Sequence, residues 1–558
     1  MENLPQISSL SELIVDVPED IKDHLKRQYD VLDKNTCEEE EEEGAKKDCH
    51  FQQILKSMKT PPQVTMCRVN LLLSTVEEVL NDLNDFLSKL TIKSGHDNEE
   101  SDTDSKNEGG EGDMFDKVVF QAYRHAILHD VIEIRVASEF SNVTSLCNQI
   151  GVPKGLPFQS SQDMFSRFPS RQNSKFPSNC KVVICDRMCG EAVLRGSNIF
   201  VRGVLAADRN VTCGDTVCVY AHVANQQPQS ILRGIYVEQY SGHCTFLGVG
   251  QVTCSRAEMF NQKHGLAVKM FNAVFKNNDN HQSSNIYDER FSTRAGSLCP
   301  PMNDILPNKM MLQNLPSILV GHVLEPKPKD NIIDLCCAPG GKTSHVASLV
   351  NNDAIIVACD KSRKKMKTAK TFFQKMGASC VVPIALDSTK CVVGSKQEQW
   401  ASVKEILSSA NTSTSDGLLN VEGFYASSFD RIILDPPCSA LGLRPKLSVE
   451  IKSLSDLDKY AQYQRKFVSC AVSLLKDDGT LVYSTCTINP CENEKMVKYI
   501  LDNFKCMKLV PIHINLGLSG LPGCGLNDEE RDMIRRFDPS DTADTMGFFI
   551  AKFKKCPI

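Results

Sequence analysis

An open α/β sheet, preceded by a small β-barrel and an α+β lobe, is the fold class that this 558-residue sequence predicts. Three observations lead there. After Leu315-Pro316, continuous apolar runs alternate with helical segments, the pattern of strands buried on both faces. Between Cys180 and Glu258, short β segments follow one another with glycine-bearing turns, as in a small barrel. Ahead of both, "TPPQVTMCRVNLLLSTVEEVLNDLNDFL" reads as one strand followed by one helix.

In chain order, residues 1–50 form an N-terminal segment, expected to be partly disordered, that ends in the acidic run 38–43. Residues 51–181 form the α+β lobe. Its helix shows Ser74 and Glu77 as a capping box, with Val76, Val79, Leu80, Leu83, Phe86 and Leu87 at helical spacing. The acidic linker 94–113 interrupts this lobe, and order resumes from Asp116 to about Val136. The barrel is expected over 182–258, on the segments "KVVICD", "NIFVRGVLAA", "DTVCVYAHV" and "CTFLGVGQV". Residues 259–558 form the α/β domain, with strands in "NIIDL", "AIIVACD", "CVVPIALD", "FDRIILD" and "GTLVYSTC". Between the last two, Tyr460, Tyr463, Phe467, Ala471 and Leu474 line one side of a helix. "KSRKKMKTAK" is read as the solvated face of another helix, not as a nuclear signal.

The net charge of −6 argues against a nucleic-acid partner only at first sight. Six consecutive carboxylates stand at 38–43, and linker 94–113 holds eight more against the single Lys106. Without those two segments the chain carries about +7, which permits an RNA partner. The 24 cysteines form no regular framework, and the opening residues lack the apolar core of a secretory signal. No run approaches the length of a membrane span. A reduced, cytoplasmic protein is the expectation, with most cysteines serving as small buried hydrophobes.

"NIIDLCCAPGGKTSHVASLV" is strand, glycine turn and helix. Gly340 and Gly341 let the main chain pass close to a ligand, and the helix N-terminus offers free N–H groups to it. The spacing fits neither a P-loop nor a dinucleotide fingerprint. Asp334, Asp360, Asp387 and Asp435 stand at the ends of consecutive strands, where open α/β sheets bind ligands. Acids around a glycine turn suit S-adenosylmethionine, with its ribose hydroxyls, carboxylate and sulfonium.

Two cysteines end strands on that same side: Cys438 in "DPPCSA" and Cys486 in "LVYSTCTINP". Cytosine carbon 5 is a poor nucleophile, and a thiolate adding to carbon 6 makes the ring an enamine able to accept a methyl group. Asp435 is placed to assist at N3, and Lys342 to lower a thiol pKa. "DLCCAPGGKT", "DPPCSALGLRP" and "LVYSTCTINPCENE" together resemble the motifs of the Sun-domain RNA cytosine-5 methyltransferases, from about Lys309 to the C-terminus. The resemblance implies a Rossmann-like methyltransferase domain in which Cys486 is the nucleophile and Cys438 aids release of the methylated base. It also implies cofactor contacts from Cys336, Cys337, Ala338, Pro339, Gly340, Gly341 and Lys342, and from Asp360, Asp387 and Asp435. Pro436 and Ala440 depart from that pattern, where Ala and Gly are usual.

"GEAVLRGSNIFVRGVLAADRNVTCGDTVCVY" resembles a PUA domain, a small RNA-binding pseudo-barrel. A PUA domain ahead of a Sun domain, with "RVN" and a helix before it, is similar to the branch that methylates tRNA at position seventy-two and reads the CCA tail. That branch is also linked to mRNA. The resemblance implies RNA binding by the N-terminal lobe and barrel, with Arg195 and Phe200 as contacts; Phe200 in the barrel core is the alternative. Arg202 stands where Pro is expected, and the usual lysine pair is missing, for which Arg209, Arg233 or Arg256 are substitutes. Other readings remain: the same chemistry on rRNA, or a silent RNA-binding protein that keeps the fold. No structural metal is expected, because no cysteine pair has zinc spacing with histidines. A monomer is expected.

Overall fold

Apolar runs of four to eleven residues in the carboxyl-terminal half pair into one sheet, because each must bury both faces and satisfy its main chain at once. In the computed structural model its strands are β1 (Asn331–Asp334), β2 (Ile355–Asp360), β3 (Val381–Ala385), β4 (Phe429–Leu434), β5 (Leu475–Thr485), β6 (Met507–Val510) and β7 (Phe548–Lys555). The order is β3-β2-β1-β4-β5-β7-β6, with the short strand Arg535–Phe537 also on β7. The first five run parallel, while β7 runs antiparallel to β5. The chain reverses direction of travel between β1 and β4, so their carboxyl ends flank a crevice. The structure describes residues 7–8, 17–36, 50–59, 61–62, 64–88, 91–92, 117–118, 120–136, 180–223, 233–273, 302, 305–394, 401–410, 417–541 and 543–557.

Helices cover both faces. Helix Arg363–Lys375 buries Met366, Ala369 and Phe373 and leaves most of its lysines to solvent, as the "KSRKKMKTAK" reading required. Helix Leu454–Leu474 buries Phe467, Ala471 and Leu474.

The barrel sheet runs through Ile235–Tyr236, Val204–Ala207, Lys181–Cys185, Thr216–His222, Cys244–Val252, Leu266–Ala273 and Ile199–Phe200. Its last long strand, Leu266–Ala273, lies antiparallel to Cys244–Val252, so the barrel does not stop at 258 as the sequence suggested. The α/β domain therefore does not begin at 259. Met310–Leu312 also lies outside it, completing the lobe's four-stranded sheet beside Thr65–Val69.

The lobe's helix is Val76–Ser88, one residue out of the expected capping register. Thr75, not Ser74, accepts the Glu78 N–H, and Glu78, not Glu77, reaches back to the Thr75 N–H. Arg68 and Asn70 of the "RVN" triplet are buried and structural. Arg68 donates to Gln313, Ser344 and the Gly341 carbonyl, and Asn70 to the Asn308 and Met376 carbonyls. Arg68 fastens the lobe to the helix that follows the glycine turn, and Asn70 fastens it to the end of helix Arg363–Lys375.

Part of the N-terminal segment is helical. Helices Glu19–Thr36 and His50–Ser57 bury Ile21, Leu25, Tyr29, Phe51 and Ile54 against Leu441, Leu457, Ile488 and Leu521 of the α/β domain. The acidic run 38–43 and the linker 94–113 fall outside the described residues. Among the described residues no helix is long and apolar enough to cross a membrane.

Candidate active site

Both cysteines come from turns at the carboxyl ends of neighbouring parallel strands, β4 and β5, and their sulfurs lie 3.3 Å apart. A dense set of bonds holds the two turns together. Glu492, fully buried, accepts from the Ser439 N–H (3.0 Å), Gln464 (2.8 Å) and Asn489 (2.9 Å). Tyr483 donates to Gln464 and to the Glu492 carbonyl, and the Ser439 and Thr487 hydroxyls meet at 2.7 Å. The Gly442 N–H donates to the Cys486 carbonyl at 3.0 Å. Gly442 also packs main chain to main chain on Gly547, where any Cβ would strike the Gly547 carbonyl.

Asp435 lies beneath the sulfurs. One carboxylate oxygen accepts from Lys342 Nζ at 2.7 Å and the other from the Ser484 hydroxyl at 2.8 Å. Lys342 Nζ also stands 5.4 Å from the centre of the Phe548 ring. Burial works against its charge, but Asp435 outweighs burial and holds the ammonium above its ordinary pKa. Cys486 is shifted down from the ordinary thiol value, chiefly by the hydrogen bond from Cys438, with Lys342 and Lys446 adding to it against burial and Asp435. Cys438 is shifted up by the same contact and by burial, with Glu492 and Asp435 adding to it. The two sulfurs share a contact, and Lys342 and Lys446 are among the groups that favour the charged form of Cys486.

The glycine turn sits across the crevice from this pair. Gly340 has φ +116°, a conformation open to glycine, and a Cβ there would meet the Phe373 ring at 2.7 Å. Asp334 does not face the crevice: it is buried, accepting from the Thr343 hydroxyl (2.7 Å) and the Cys336 N–H (3.1 Å). Burial raises its pKa to about 6. Asp360 and Asp387 are partly exposed. Asp360 accepts from the Ser362 N–H through one oxygen, leaving the other without a hydrogen bond among the described residues. Asp387 accepts from Thr389 and pairs with Lys361 at 3.0 Å. Cys336, Ala338 and Gly341 are half-buried and Pro339 is exposed, while the Cys337 thiol turns inward onto Met366. A glycine loop with accessible main chain and strand-end carboxylates is a donor set that fits a ribose diol and an amino acid moiety.

In the barrel, Phe200 is 49% exposed and therefore not core, and Arg195 is exposed at the end of helix Arg187–Leu194. Three arginines join two aromatic rings nearby in sequence. Arg209 and Arg256 each lie about 4 Å from the Tyr236 ring centre (4.0 and 4.1 Å), and Arg256 and Arg233 reach Phe260. Arg233 and Arg256 spend their guanidinium donors on main-chain carbonyls of Val201, Met259, Gly234 and Ile235. Only Arg209 of the three is both exposed and without such bonds among the described residues.

Sequence reasoning missed Ser484, Glu492, Gln464 and Lys446. Ser484 and Glu492 lie inside the motif that carries Cys486, so their place was visible but not their role. One cluster has metal-ligand character, His129, Asp130 and His322. There both Asp130 oxygens are already bonded, to His322 and His345, each at 2.8 Å.

Residues 321–554 match the family described as 16S rRNA methyltransferase RsmB/F, and residues 181–272 match the PUA domain. The chain is 30% identical over 535 residues to the tRNA (cytosine(72)-C(5))-methyltransferase NSUN6 of Homo sapiens, covering 91% of each. It is 34% identical over 465 residues to the rRNA (cytosine-C(5))-methyltransferase NOP2C of Arabidopsis thaliana, covering 68% of this chain and 73% of that protein. The fold is that of NSun6 from Pyrococcus horikoshii, solved with SFG, at TM-score 0.59 and 23% identity over 97% of this chain and 99% of that one. With two strand-end cysteines, a glycine turn and a PUA barrel on one chain, this protein belongs to the RsmB/F family of RNA cytosine-C(5) methyltransferases, enzymes that draw their methyl group from S-adenosylmethionine.

Proposed function

We propose that the protein methylates carbon 5 of a cytosine near the acceptor end of tRNA, position seventy-two, through a covalent bond from Cys486 to carbon 6. The observation that carries the reading is the Cys438–Cys486 contact above the Lys342–Asp435 pair. Cys486, with its lowered pKa, is the attacking thiolate. Asp435 faces N3 of the base and relays a proton to it from the Lys342 ammonium as the thiolate adds, and the proton returns when the adduct breaks down. Once carbon 5 is methylated, Cys438, having lost its own proton to solvent, takes the carbon 5 proton as the bond from carbon 6 to Cys486 breaks and the Cys486 thiolate leaves. S-adenosylmethionine supplies an electrophilic methyl group. Its ribose is assigned to Asp360, its adenosine side to Asp387, and its amino acid end to the main chain from Cys336 to Gly341.

Phe200, Arg195 and Arg209 are the RNA contacts of the barrel in this reading, the first by stacking and the others on phosphate. The CCA tail is the segment they would take, and a cytoplasmic monomer acting on tRNA, with mRNA of similar shape as a further substrate, completes the proposal. The tRNA assignment rests on the relative that aligns over 91% of the chain; the higher identity to an rRNA enzyme favours rRNA as a second reading.

The two cysteines separate by mutation. With S-adenosylmethionine and a CCA-ended tRNA transcript, Cys438→Ala accumulates a denaturant-resistant protein–RNA band, and Cys486→Ala gives neither band nor product. A band with Cys486→Ala instead reverses the two roles. Bisulfite sequencing of cellular RNA decides the substrate: a protected cytosine in rRNA and none in any tRNA overturns the tRNA reading.

A further inference from the structure

Four parts of the chain converge on the segment after "DPPCSALG". Arg444 donates to the Pro539 carbonyl (2.7 Å), Asp544 (2.8 Å) and, from the other side, the Pro61 carbonyl (3.3 Å). The Lys446 N–H donates to the Met58 carbonyl at 2.7 Å. The Leu447 N–H donates to Glu191 of the barrel helix at 3.0 Å, and the Leu447 side chain is part of the barrel's own core. Arg187 on that helix pairs with Glu191 at 2.8 Å and with Glu450. The barrel is thus docked on this segment by a plug and a set of bonds.

Lys446 itself is 6% exposed, and its Nζ donates to the Ala440 carbonyl at 2.9 Å, inside the turn that carries Cys438. Two residues on, Gly442 bonds the Cys486 main chain. A buried ammonium needs an anion nearby. Glu191 is already engaged by Arg187 and the Leu447 N–H. Another anion that acts on it is the Cys486 thiolate, whose turn is tied to Lys446 through the Ala440 carbonyl and the Gly442 N–H. Lys342 is committed to Asp435 at 2.7 Å, so that pair is close to neutral as seen from the sulfur. Among the described residues Lys446 has no salt bridge of its own, so its charge is free to act on the sulfur.

We propose that Lys446 is a positioning residue whose ammonium stabilises the Cys486 thiolate, and that docking of the barrel through Glu191 and Leu447 holds it there. The proposal rests on the reading of Cys486 as nucleophile. It links the RNA-binding barrel to the reacting sulfur through three consecutive contacts: Glu191 to Leu447, Lys446 to Ala440, Gly442 to Cys486.

The test uses the full chain in the Cys438→Ala background, where the covalent band reports thiolate attack directly. Its rate of formation on a CCA-ended tRNA transcript is measured against pH, alone and with Lys446→Met or Glu191→Gln added. Around Cys486 the titrating groups are Asp435, Lys342 and Lys446; around Lys446 they are Glu191, Glu450 and Arg187. Lys446→Met is expected to move the midpoint up by about one pH unit, so that the band forms about tenfold more slowly at pH 7. Glu191→Gln keeps an acceptor for the Leu447 N–H and removes a negative charge that opposes Lys446, so the midpoint moves down, by less than that unit. A Lys446→Met midpoint equal to the background value, or a slower rate with no shift, overturns the proposal and makes the residue merely structural. If Lys446→Met melts below the assay temperature, Lys446→Gln carries the decision, with the same expected rise in midpoint. No band at any pH in the background protein itself overturns the nucleophile reading, and this proposal with it.

Discussion

Two charged clusters lie on either side of the Cys486 turn, and they are built on opposite rules. On the crevice side, Lys342 and Asp435 pair at 2.7 Å, with Ser484 as the one further hydrogen-bond partner among the described residues, and Asp435 keeps solvent access. On the far side, Arg536 is 1% exposed and every direction of its guanidinium is taken: Glu494 at 2.9 Å, Asp538 at 3.1 Å, the Ile488 carbonyl at 2.7 Å and the Tyr29 hydroxyl. His50 closes the set on Asp538 at 3.2 Å. A cluster with spare capacity at strand ends can meet a substrate, while a saturated one can only hold chain together. The saturated one joins the N-terminal helices to the loop that bears Cys486.

Exchanging one cation in each cluster separates the roles, and this is the largest effect expected. Lys342→Met should cost about 10²-fold or more in methyl transfer, the scale of a positioned proton-transfer group, with little change in melting temperature. Arg536→Met should cost about 3–5 kcal/mol of stability, because Glu494 and Asp538 are left as buried charges without a counter-ion. Single-turnover methylation and chemical denaturation read the two. If the losses fall the other way round, the distinction between an open and a closed cluster fails.

How far the sequence carries each cluster follows from the range of its contacts. The crevice side was legible: Cys438, Cys486, Asp435 and the glycine turn all follow apolar runs, and strand ends are local features. The β-strands themselves were found for the same reason, since "NIIDL" and "FDRIIL" cannot be anything but buried on both faces. Arg536 was not legible, because its partners Tyr29 and Ile488 lie hundreds of residues and tens of residues away. The N-terminal helices were not read from the sequence for the same reason: their apolar residues look sparse until the loop of Leu441 and Ile488 covers them. The barrel's last strand was missed past 258 because its register comes from Cys244–Val252 and not from its own sequence.

The barrel offers a second comparison, between arginines that look alike in sequence. Arg256 is consumed by the Ala207, Gly234 and Ile235 carbonyls, whereas Phe200 and Arg209 face solvent. Phe200→Ala should weaken tRNA binding by about 1–3 kcal/mol, the range of one base–aromatic stack, and leave the melting temperature unchanged. Arg256→Ala should lower the melting temperature first. Filter binding at fixed salt, beside thermal melts of both variants, checks the pair; a Phe200→Ala protein that binds tRNA like the parent removes that residue from the interface.

The smallest effect concerns Ala440, the residue standing where the family usually has glycine. It sits at φ +53°, in the left-handed region that disfavours any residue with a Cβ. Its carbonyl accepts from Lys446, and its turn places Cys438 beside Cys486. Ala440→Gly removes the Cβ strain but loosens the unfolded chain, so the two effects oppose and the net gain should be only about 0.5–1 kcal/mol. The carbonyl and both sulfurs stay, so the turn keeps its contacts. Denaturant titration should therefore show a modest rise in midpoint with the same slope, and kcat close to the parent value. A fall in midpoint means that the Ala440 methyl contributes packing worth more than its strain. A fall in kcat with a raised midpoint means that the strained turn itself holds the sulfurs in place, and that the departure from glycine serves the chemistry.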